Sequence, residues 1–332
     1  MFEYIYVENA VADHPFTREI VTRFAGSTVI PCNRYTEIFN RKAQNFRLQK
    51  RRPALILAEK FGHFLLPAPD NYGIGSDSNY YFSHMLNCIY DCRYCFLQGM
   101  YRSAHYVLFI NYDDFGTAIE KMIKENPDKL MHFFSGYDCD SLAFEPVTGF
   151  VRHFLPLFRR NHRAIFELRT KSTQVRTLLS EPPQDNMVIA YSFTPDEVAT
   201  ALEHRAPPPG KRLEVMCSLQ EKGWRLGLRF DPLIYSRDYR AQYSRLFSKI
   251  FHRLDISGLH SVSLGSFRLP KTFFRTMQRL YPEENLFASP LEDTSGVITY
   301  QKRLHDDMLR FCRDELLHYI SEEIFFPCEK IS

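Results

Sequence analysis

The segment 87-NCIYDCRYCF-96 places Cys88, Cys92 and Cys95 in a Cys-x3-Cys-x2-Cys pattern. Such short spacings let one irregular loop direct several thiolates at a single metal centre, and thiolates select Zn²⁺, Cu(I) or iron–sulfur clusters. Three cysteine ligands on a [4Fe–4S] cluster leave one iron without a protein ligand. That open iron can bind the amino and carboxylate groups of S-adenosylmethionine and cleave the cofactor reductively to a 5′-deoxyadenosyl radical. We therefore predict a [4Fe–4S] cluster at this loop.

A structural zinc site is the alternative interpretation of the same loop. His84 lies four residues before Cys88, so that His84 and the three cysteines match the composition of a Cys3His site. Structural zinc sites rarely follow a barrel strand directly, and this favours the cluster. Tyr94 and Phe96 flank Cys95 and could cover a cluster, although each aromatic residue alone is more often part of the core.

Around this loop, from about Ser83 onward, short apolar runs alternate with helical patterns, which is typical of βα units around a parallel sheet. Six runs are candidate strands: Tyr81 to Leu86, Met131 to Gly136, Ala164 to Thr170, Met187 to Phe193, Leu226 to Pro232 and Ser261 to Ser266. We predict an α/β fold, a partial (β/α)6 TIM-like barrel with N-terminal and C-terminal extensions. In such barrels the chemistry lies at the C-terminal ends of the strands, and the cysteine loop directly follows the first candidate strand.

The regions outside these runs suggest three parts. Residues 1–80 form an N-terminal extension, residues 81–289 the barrel and residues 290–332 a C-terminal cap with a helix from about Gln301 to Ile320. Within the barrel, apolar residues recur on one helix face between Arg240 and Leu254. A further short strand, Tyr106 to Asn111, precedes Asp113 and Asp114, which we predict to be N-caps of a helix that runs to about Lys124.

Composition indicates one compact unit of enzyme size. The chain has 332 residues, of which 45% are hydrophobic and 15% aromatic, and this is far from the profile of a disordered chain. Three of the eight cysteines are clustered and five are scattered, unlike the framework of a small secreted domain. The N-terminus has no signal-peptide pattern, and no apolar stretch could span a bilayer. We predict a cytoplasmic protein without a membrane partner.

A basic segment between Arg34 and Arg52 carries seven cations against one acid, Glu37, with Tyr35, Phe39 and Phe46 interleaved. Positive charge follows phosphates and aromatic rings stack on exposed bases, so we predict that this segment binds DNA. A solvated helix face is the alternative. The seven cations are Arg34, Arg41, Lys42, Arg47, Lys50, Arg51 and Arg52.

The stretch CIYDCRYCFLQGMYRSAHYVLFINYDDF resembles the radical S-adenosylmethionine superfamily and, more narrowly, the spore photoproduct lyase family. The similarity extends to IYVENAVADHPFTREIVTRFAGSTVI near the N-terminus, to FELRTKSTQV and to ITYQK before the closing helix. The resemblance implies that Cys88, Cys92 and Cys95 bind the [4Fe–4S] cluster. It also implies a set of residues that bind S-adenosylmethionine: Lys171 at its carboxylate, Ser192 nearby, and Ser135, Gly136 and Asp140 at its amino group.

Three departures from the family pattern concern catalysis. The lyase returns a hydrogen to its substrate from a cysteine near the end of the second strand, where this chain has Tyr137. Cys139 follows two residues later and points the same way in an extended chain, so we expect Cys139 or Tyr137 to face a substrate radical. Simple packing of Cys139 is the alternative. Tyr94 keeps the first of two family tyrosines beside the last cysteine, whereas Phe96 replaces the second and has no phenolic hydrogen to relay.

The third departure lies near the C-terminus. An Arg-Tyr pair that touches the lesion in the lyase falls, by spacing, on Glu292 and Asp293. Carboxylates repel phosphate, so we expect a lesion to be held differently here.

These observations predict a radical S-adenosylmethionine enzyme resembling spore photoproduct lyase, with ultraviolet-damaged DNA and its thymine photoproduct as the substrate. A radical enzyme that acts on RNA, a peptide or a small molecule is one alternative. A non-catalytic nucleic-acid-binding protein with structural zinc is another. The reductive step also implies an electron donor such as flavodoxin or ferredoxin.

Overall fold

The computed structural model describes residues 2–69, 72–76 and 78–329. The strands are β1 (Tyr4–Glu8), β2 (Thr28–Cys32), β3 (Leu55–Ala58), β4 (Leu66–Pro67), β5 (Ser78–Tyr81), β6 (Met85–Leu86), β7 (Asp91–Cys92), β8 (Tyr106–Phe109), β9 (Met131–Ser135), β10 (Ala164–Thr170), β11 (Met187–Ser192), β12 (Glu203–His204), β13 (Arg225–Leu233), β14 (Leu259–Ser266), β15 (Arg268–Pro270), β16 (Leu291–Thr294), β17 (Val297–Tyr300) and β18 (Phe325–Pro327). The helices are α1 (Pro15–Arg23), α2 (Phe46–Arg51), α3 (Leu97–Met100), α4 (Tyr112–Glu125), α5 (Glu145–Thr148), α6 (Phe150–Arg160), α7 (Arg176–Ser180), α8 (Asp196–Leu202), α9 (Pro209–Lys222), α10 (Tyr239–Phe251), α11 (Lys271–Leu280) and α12 (Lys302–Leu317).

The larger sheet runs in the order β18-β14-β13-β11-β10-β9-β5-β4. Strands β5, β9, β10, β11, β13 and β14 pair in parallel in chain order, and helices lie in the connections between β9 and β14. Parallel strands need such crossovers, and helices then cover the outside of the sheet. The predicted partial barrel is confirmed, and its parallel strands end at one edge where a site can form.

One of the six candidate strands was wrong. The run Tyr81 to Leu86 is divided: β5 ends at Tyr81 in the larger sheet, and β6 pairs with β8 in another sheet. The chain turns between them because the Ser83 hydroxyl donates to Asp138 at 2.6 Å and the His84 ring stacks on Phe150. The remaining five runs agree with β9, β10, β11, β13 and β14 to within two residues.

The second sheet has the order β2-β1-β3-β8-β6. It therefore combines strands from before and after residue 80, with Leu55 of β3 opposite Tyr106 of β8. At the other end of the chain, β18 pairs in parallel with β14. The division into parts 1–80, 81–289 and 290–332 stays a prediction, and strand pairing crosses both of its boundaries.

Two details of the helices bear on the expectations from sequence. Asp113 and Asp114 lie in the first turn of α4, whereas Asn111 occupies the N-cap position, so the predicted N-caps were wrong by a few residues. Carboxylates in a first turn still stabilise the helix through its dipole. No helix of the described residues is long and apolar enough to cross a membrane.

Candidate active site

A cavity of about 750 Å³ opens at the C-terminal ends of β9, β10, β11 and β13. Its lining includes all eleven predicted site residues: Cys88, Cys92, Tyr94, Cys95, Ser135, Gly136, Tyr137, Cys139, Asp140, Lys171 and Ser192. Residues from widely separated parts of the sequence meet here because parallel strands deliver their C-terminal ends to one edge.

Backbone pairing fixes the cysteine loop. Cys92 lies in β7, which pairs antiparallel with β12 so that Cys92 stands opposite Glu203. The Arg93 amide donates to the Leu202 carbonyl at 2.8 Å, and the Cys95 amide donates to the Cys92 carbonyl at 3.1 Å. The loop is therefore held by backbone pairing to β12 and by its own turn.

Cys88, Cys92 and Cys95 line the same cavity, as ligands of one shared cluster must. Tetrahedral zinc with Zn–S bonds of about 2.3 Å brings its sulfurs to about 3.8 Å from one another, whereas each thiolate of a four-iron cluster binds a different iron. Across residues 2–69, 72–76 and 78–329, no three His, Cys, Asp or Glu side chains lie close enough to hold one metal ion. His84 is 1% exposed, and burial lowers its pKa to about 3. The His84 ring stacks on Phe150 and is not among the described residues that line the cavity with the three cysteines, so His84 is not placed as a fourth zinc ligand.

Lys171 follows β10 and presents its ammonium beside the cysteine loop. Its Nζ lies 3.9 Å from Glu203 Oε1 and 5.3 Å from the centre of the Tyr94 ring. Burial by itself lowers the pKa of Lys171, but the Cys92 thiol and the Glu203 carboxylate outweigh burial and raise the pKa above its usual value. The site thus holds a charged, largely buried ammonium.

The loop after β9 forms a second wall. Asp140 accepts hydrogen bonds from the backbone amides of Leu142, Ala143 and Lys171 and from the Thr170 hydroxyl, at 2.7 to 3.0 Å. Its carboxylate therefore ties this loop to the end of β10. The predicted contacts of Asp140 with a cofactor stay a prediction.

The neighbouring Ser135 and Gly136 shape the same wall. The Ser135 hydroxyl lies 2.7 Å from the Ser141 hydroxyl. Gly136 has a φ of 90°, and a Cβ there would lie 2.7 Å from the Arg169 carbonyl oxygen. Only glycine fits this close approach. The cofactor contacts of both residues stay predictions.

Tyr137 and Cys139 both line the cavity, as expected from their spacing, but in different surroundings. The Tyr137 ring stacks on Tyr81 with centroids 4.2 Å apart and lies 5.3 Å from the Phe96 ring. Cys139 is 3% exposed, with its Sγ 3.9 Å from His84 Nδ1. Burial raises the pKa of both groups, so that each keeps its hydrogen at neutral pH.

A family model described as spore photoproduct lyase matches residues 1–296. The chain belongs to the spore photoproduct lyase family. Membership confirms the predicted enzyme class, a radical S-adenosylmethionine lyase whose cofactors are a [4Fe–4S] cluster and S-adenosylmethionine.

Solved structures of spore photoproduct lyase share the fold. One is a double mutant with bound AdoMet and dinucleoside spore photoproduct, with a TM-score of 0.87, 16% identity and coverage of 99% of this chain and 98% of that chain. Another is complexed with dinucleoside spore photoproduct, with a TM-score of 0.84 and the same identity and coverage. No protein of curated function matches the sequence.

In this member of the spore photoproduct lyase family, the basic segment lies against the cysteine loop. Lys50 of α2 lines the cavity, and its Nζ lies 3.5 Å from Asp91 Oδ1. The expectation that the interleaved aromatic rings stack on bases was wrong, because Phe39 and Phe46 are only 4% and 5% exposed. Phe39 packs in the core, and Phe46, on the buried face of the short helix α2, lines the cavity. Arg41, Lys42, Arg47, Arg51 and Arg52 are exposed.

The two positions that correspond by spacing to the lesion-binding pair lie away from the cavity, and the expectation that a lesion is held differently stays a prediction. Glu292 and Asp293 lie on the exposed hairpin of β16 and β17 and are not among the described residues that line the cavity. Asp293 forms an ion pair with Lys271, and Glu292 accepts a hydrogen bond from the Lys302 amide. Both carboxylates are therefore engaged outside the site.

Sequence reasoning missed a cluster of three residues that line the same cavity, Tyr72, Asp231 and Arg268. Arg268 Nη1 lies 3.0 Å from Asp231 Oδ1, and the guanidinium lies 5.3 Å from the centre of the Tyr72 ring. Asp231 directly follows the apolar part of the fifth candidate strand, and this strand-end position was the available signal. Nothing in the sequence pairs Tyr72 with Arg268, which is 196 residues away.

Proposed function

We propose that this protein repairs a thymine photoproduct in ultraviolet-damaged DNA by radical chemistry that starts from S-adenosylmethionine. The supporting observation is the convergence of three thiols, a charged lysine and two hydrogen donors on one cavity of about 750 Å³. A volume of this size is within the range of about 300 to 1,000 Å³ that is usual for small-molecule sites. The solved structures with bound AdoMet and dinucleoside spore photoproduct, which share this fold, support the same substrate class.

Different residues that line the cavity have different proposed roles. Cys88, Cys92 and Cys95 hold the cluster, Lys171 pairs with the carboxylate of S-adenosylmethionine, and Ser192 orients the same cofactor. When bound and reduced, these cofactors supply a 5′-deoxyadenosyl radical that abstracts hydrogen from the substrate. Apolar rings around the thiols limit the access of water to this chemistry.

We further propose that Tyr137 or Cys139 returns a hydrogen to the substrate radical. The phenoxyl or thiyl radical left on that side chain is then restored by one electron from a reduced flavodoxin- or ferredoxin-type donor and one proton from solvent. Both groups line the cavity and both retain a hydrogen that exchanges with solvent. Turnover in D₂O therefore places deuterium in the repaired base. Tyr137→Phe and Cys139→Ala separate the two donors, because only loss of the true donor lowers the deuterium content of the product, measured by mass spectrometry.

The substrate base must leave the DNA stack to reach this cavity. The exposed cations of the basic segment are proposed to hold the flanking phosphates, and an electron donor such as flavodoxin or ferredoxin is proposed to reduce the cluster. All eight cysteines lie in the described part of the chain and none forms a disulfide, which fits a reducing, cytoplasmic location.

The test is anaerobic reconstitution with iron and sulfide, followed by reduction and incubation with S-adenosylmethionine. We expect 5′-deoxyadenosine, and we expect more of it with ultraviolet-irradiated DNA than with intact DNA. If the yield of 5′-deoxyadenosine is the same with and without irradiated DNA, the repair function is rejected and the enzyme class is retained. Folded protein that binds iron but forms no 5′-deoxyadenosine would reject both.

A further inference from the structure

Glu203 lies at a junction of four elements around the cysteine loop. It is 4% exposed and begins β12, which pairs with the loop. Four polar side chains reach its carboxylate from different parts of the chain: Tyr94 from the cysteine loop, Lys171 after β10, Thr194 after β11 and Arg212 from α9. The two oxygens of this buried carboxylate must therefore be shared among four donor side chains.

The hydrogen bonds of Glu203 show how it is shared. Oε1 accepts from the Tyr94 hydroxyl and, at 3.1 Å, from the Thr194 hydroxyl. Oε2 accepts from Arg212 Nη2. A carboxylate oxygen has two lone pairs, so both acceptor positions of Oε1 are occupied.

Lys171 is therefore attracted to Glu203 electrostatically but forms no hydrogen bond with it. Its Nζ lies 3.9 Å from Oε1, within ion-pair range and beyond hydrogen-bond range. The side chain is only 16% exposed, and its Nζ donates no hydrogen bond to the described residues. Arg212 differs, since its guanidinium also donates to the Pro207 carbonyl at 2.7 Å and to the Ser192 carbonyl at 3.0 Å.

Two cations share this one carboxylate. Lys171 and Arg212 are both cations, and Glu203 is the one anion in contact with each of them among the described residues. Buried charges are stable when they are paired and hydrogen-bonded. The Lys171 ammonium, which lines the cavity and forms no hydrogen bond to the described residues, can therefore bind a second carboxylate there.

We propose that Glu203 is a positioning residue for Lys171. Tyr94, Thr194 and Arg212 occupy the Glu203 carboxylate, and Lys171 consequently stays in place and available to the carboxylate of S-adenosylmethionine. This inference rests on the proposed function, which assigns that carboxylate to Lys171. Thr194 is not among the described cavity-lining residues. The inference nevertheless predicts that replacing Thr194 changes the affinity for S-adenosylmethionine.

The decisive change is Thr194→Val, which removes one donor to Oε1 and keeps the shape of the side chain. The Lys171 ammonium can then form a hydrogen bond with the free lone pair of Glu203 Oε1. The affinity of the protein for S-adenosylmethionine therefore falls. We expect the Kd for S-adenosylmethionine to rise about fivefold, the equivalent of one net hydrogen bond. Equilibrium dialysis against the anaerobically reconstituted protein measures it. Thr17→Val, at a threonine of α1 that is also 2% exposed, is the matched control and leaves the Kd unchanged.

A double-mutant cycle separates positioning from a purely structural effect. In a Lys171→Met background, Thr194→Val should leave the Kd unchanged, because the side chain through which it acts is gone. An equal rise in both backgrounds, or no rise in either, would overturn the inference. Thr194→Ser keeps the hydroxyl and should retain the original Kd. If the valine variant does not fold, Thr194→Ala also removes the hydroxyl and should raise the Kd in the same way.

The single variant Lys171→Met distinguishes this inference from the proposed function. If Lys171→Met leaves the Kd unchanged, the assignment of Lys171 to the cofactor fails. If Lys171→Met weakens binding and Thr194→Val does not, only the role of Glu203 fails.

Discussion

Replacing Glu167 with glutamine tests the buried ion pairs beneath the cavity. Glu167 is 0% exposed and forms a bidentate pair with Arg229, at 3.0 Å to Nε and 2.9 Å to Nη2. Arg169 Nε lies 2.7 Å from the same carboxylate. Glutamine keeps the size of the side chain but leaves the Arg229 guanidinium buried without a counter-charge. Removing one partner of a buried pair costs about 3–5 kcal/mol, and we expect the free energy of unfolding to fall by that amount.

Urea titration followed by far-ultraviolet circular dichroism measures this loss. The surface pair of Glu120 and Arg160, at 3.1 Å with both side chains about half exposed, supplies the control. Glu120→Gln should change the free energy of unfolding by less than about 1 kcal/mol. The combined change of Glu167→Leu with Arg229→Met should recover part of the stability, since the fully buried cation is removed with its partner and only Arg169, whose side chain is 26% exposed, loses its counter-charge. A Glu167→Gln variant no less stable than Glu120→Gln would refute the reasoning.

The same pair predicts a pH dependence. Burial by itself raises the pKa of Glu167, but Arg229 and Arg169 outweigh burial and hold the pKa well below its usual value of 4.5. A carboxyl group whose pKa is lowered by folding stabilises the protein above its unfolded pKa, and this contribution is lost as the pH falls through the folded pKa. The difference in unfolding free energy between the original protein and Glu167→Gln should therefore be constant near neutral pH and shrink below about pH 4.5.

The remaining predictions concern the walls, the cluster and the basic segment. Gly136→Ala should lower the free energy of unfolding by about 2–4 kcal/mol in urea titration, because it combines a positive φ with a Cβ 2.7 Å from the Arg169 carbonyl oxygen. Cys92→Ala should lose most of the reconstituted iron, measured by colorimetric iron analysis, because a cluster with two ligands is poorly held. Arg51→Ala with Arg52→Ala should weaken binding to irradiated DNA and reduce the salt slope of log K by about 2 in fluorescence anisotropy, since two phosphate contacts are lost.

Each of these has a matched control. Gly149 also has a positive φ, of 54°, but a Cβ there meets no atom within 4 Å, so Gly149→Ala should lose clearly less stability than Gly136→Ala. Cys217 lies on α9 away from the cavity, and Cys217→Ala should keep its iron. Lys222→Ala removes an exposed charge at the end of α9 and should leave the salt slope unchanged. A control that changed as much as its partner variant would contradict the corresponding assignment.

Much of the fold and of the site could be predicted from local features of the chain. The Cys88–Cys95 spacing lies within one loop, and strand ends such as that of β10 mark where Lys171 stands. The wrong predictions concern residues whose structure depends on which other part of the chain they pack or pair with. The segment after Tyr81 was read as one strand because an apolar run does not state which sheet its residues join. The aromatic residues of the basic segment were expected to be exposed because composition does not state which helix face is covered.

The sequence by itself determined the chemistry and its location along the chain: three thiols in one loop, a lysine after the third candidate strand, and a tyrosine and a cysteine after the second. Local spacing and strand periodicity suffice for this because they depend on neighbouring residues. Only the tertiary structure decided that Glu203 joins Tyr94, Thr194, Arg212 and Lys171, and that Arg268 meets Tyr72 in the lining of the cavity. Thr194 and Arg212 each lie nine residues from Glu203, whereas Tyr94 lies 109 residues from it and Arg268 lies 196 residues from Tyr72. The long-range contacts exist only when the parallel strands bring their ends to one edge.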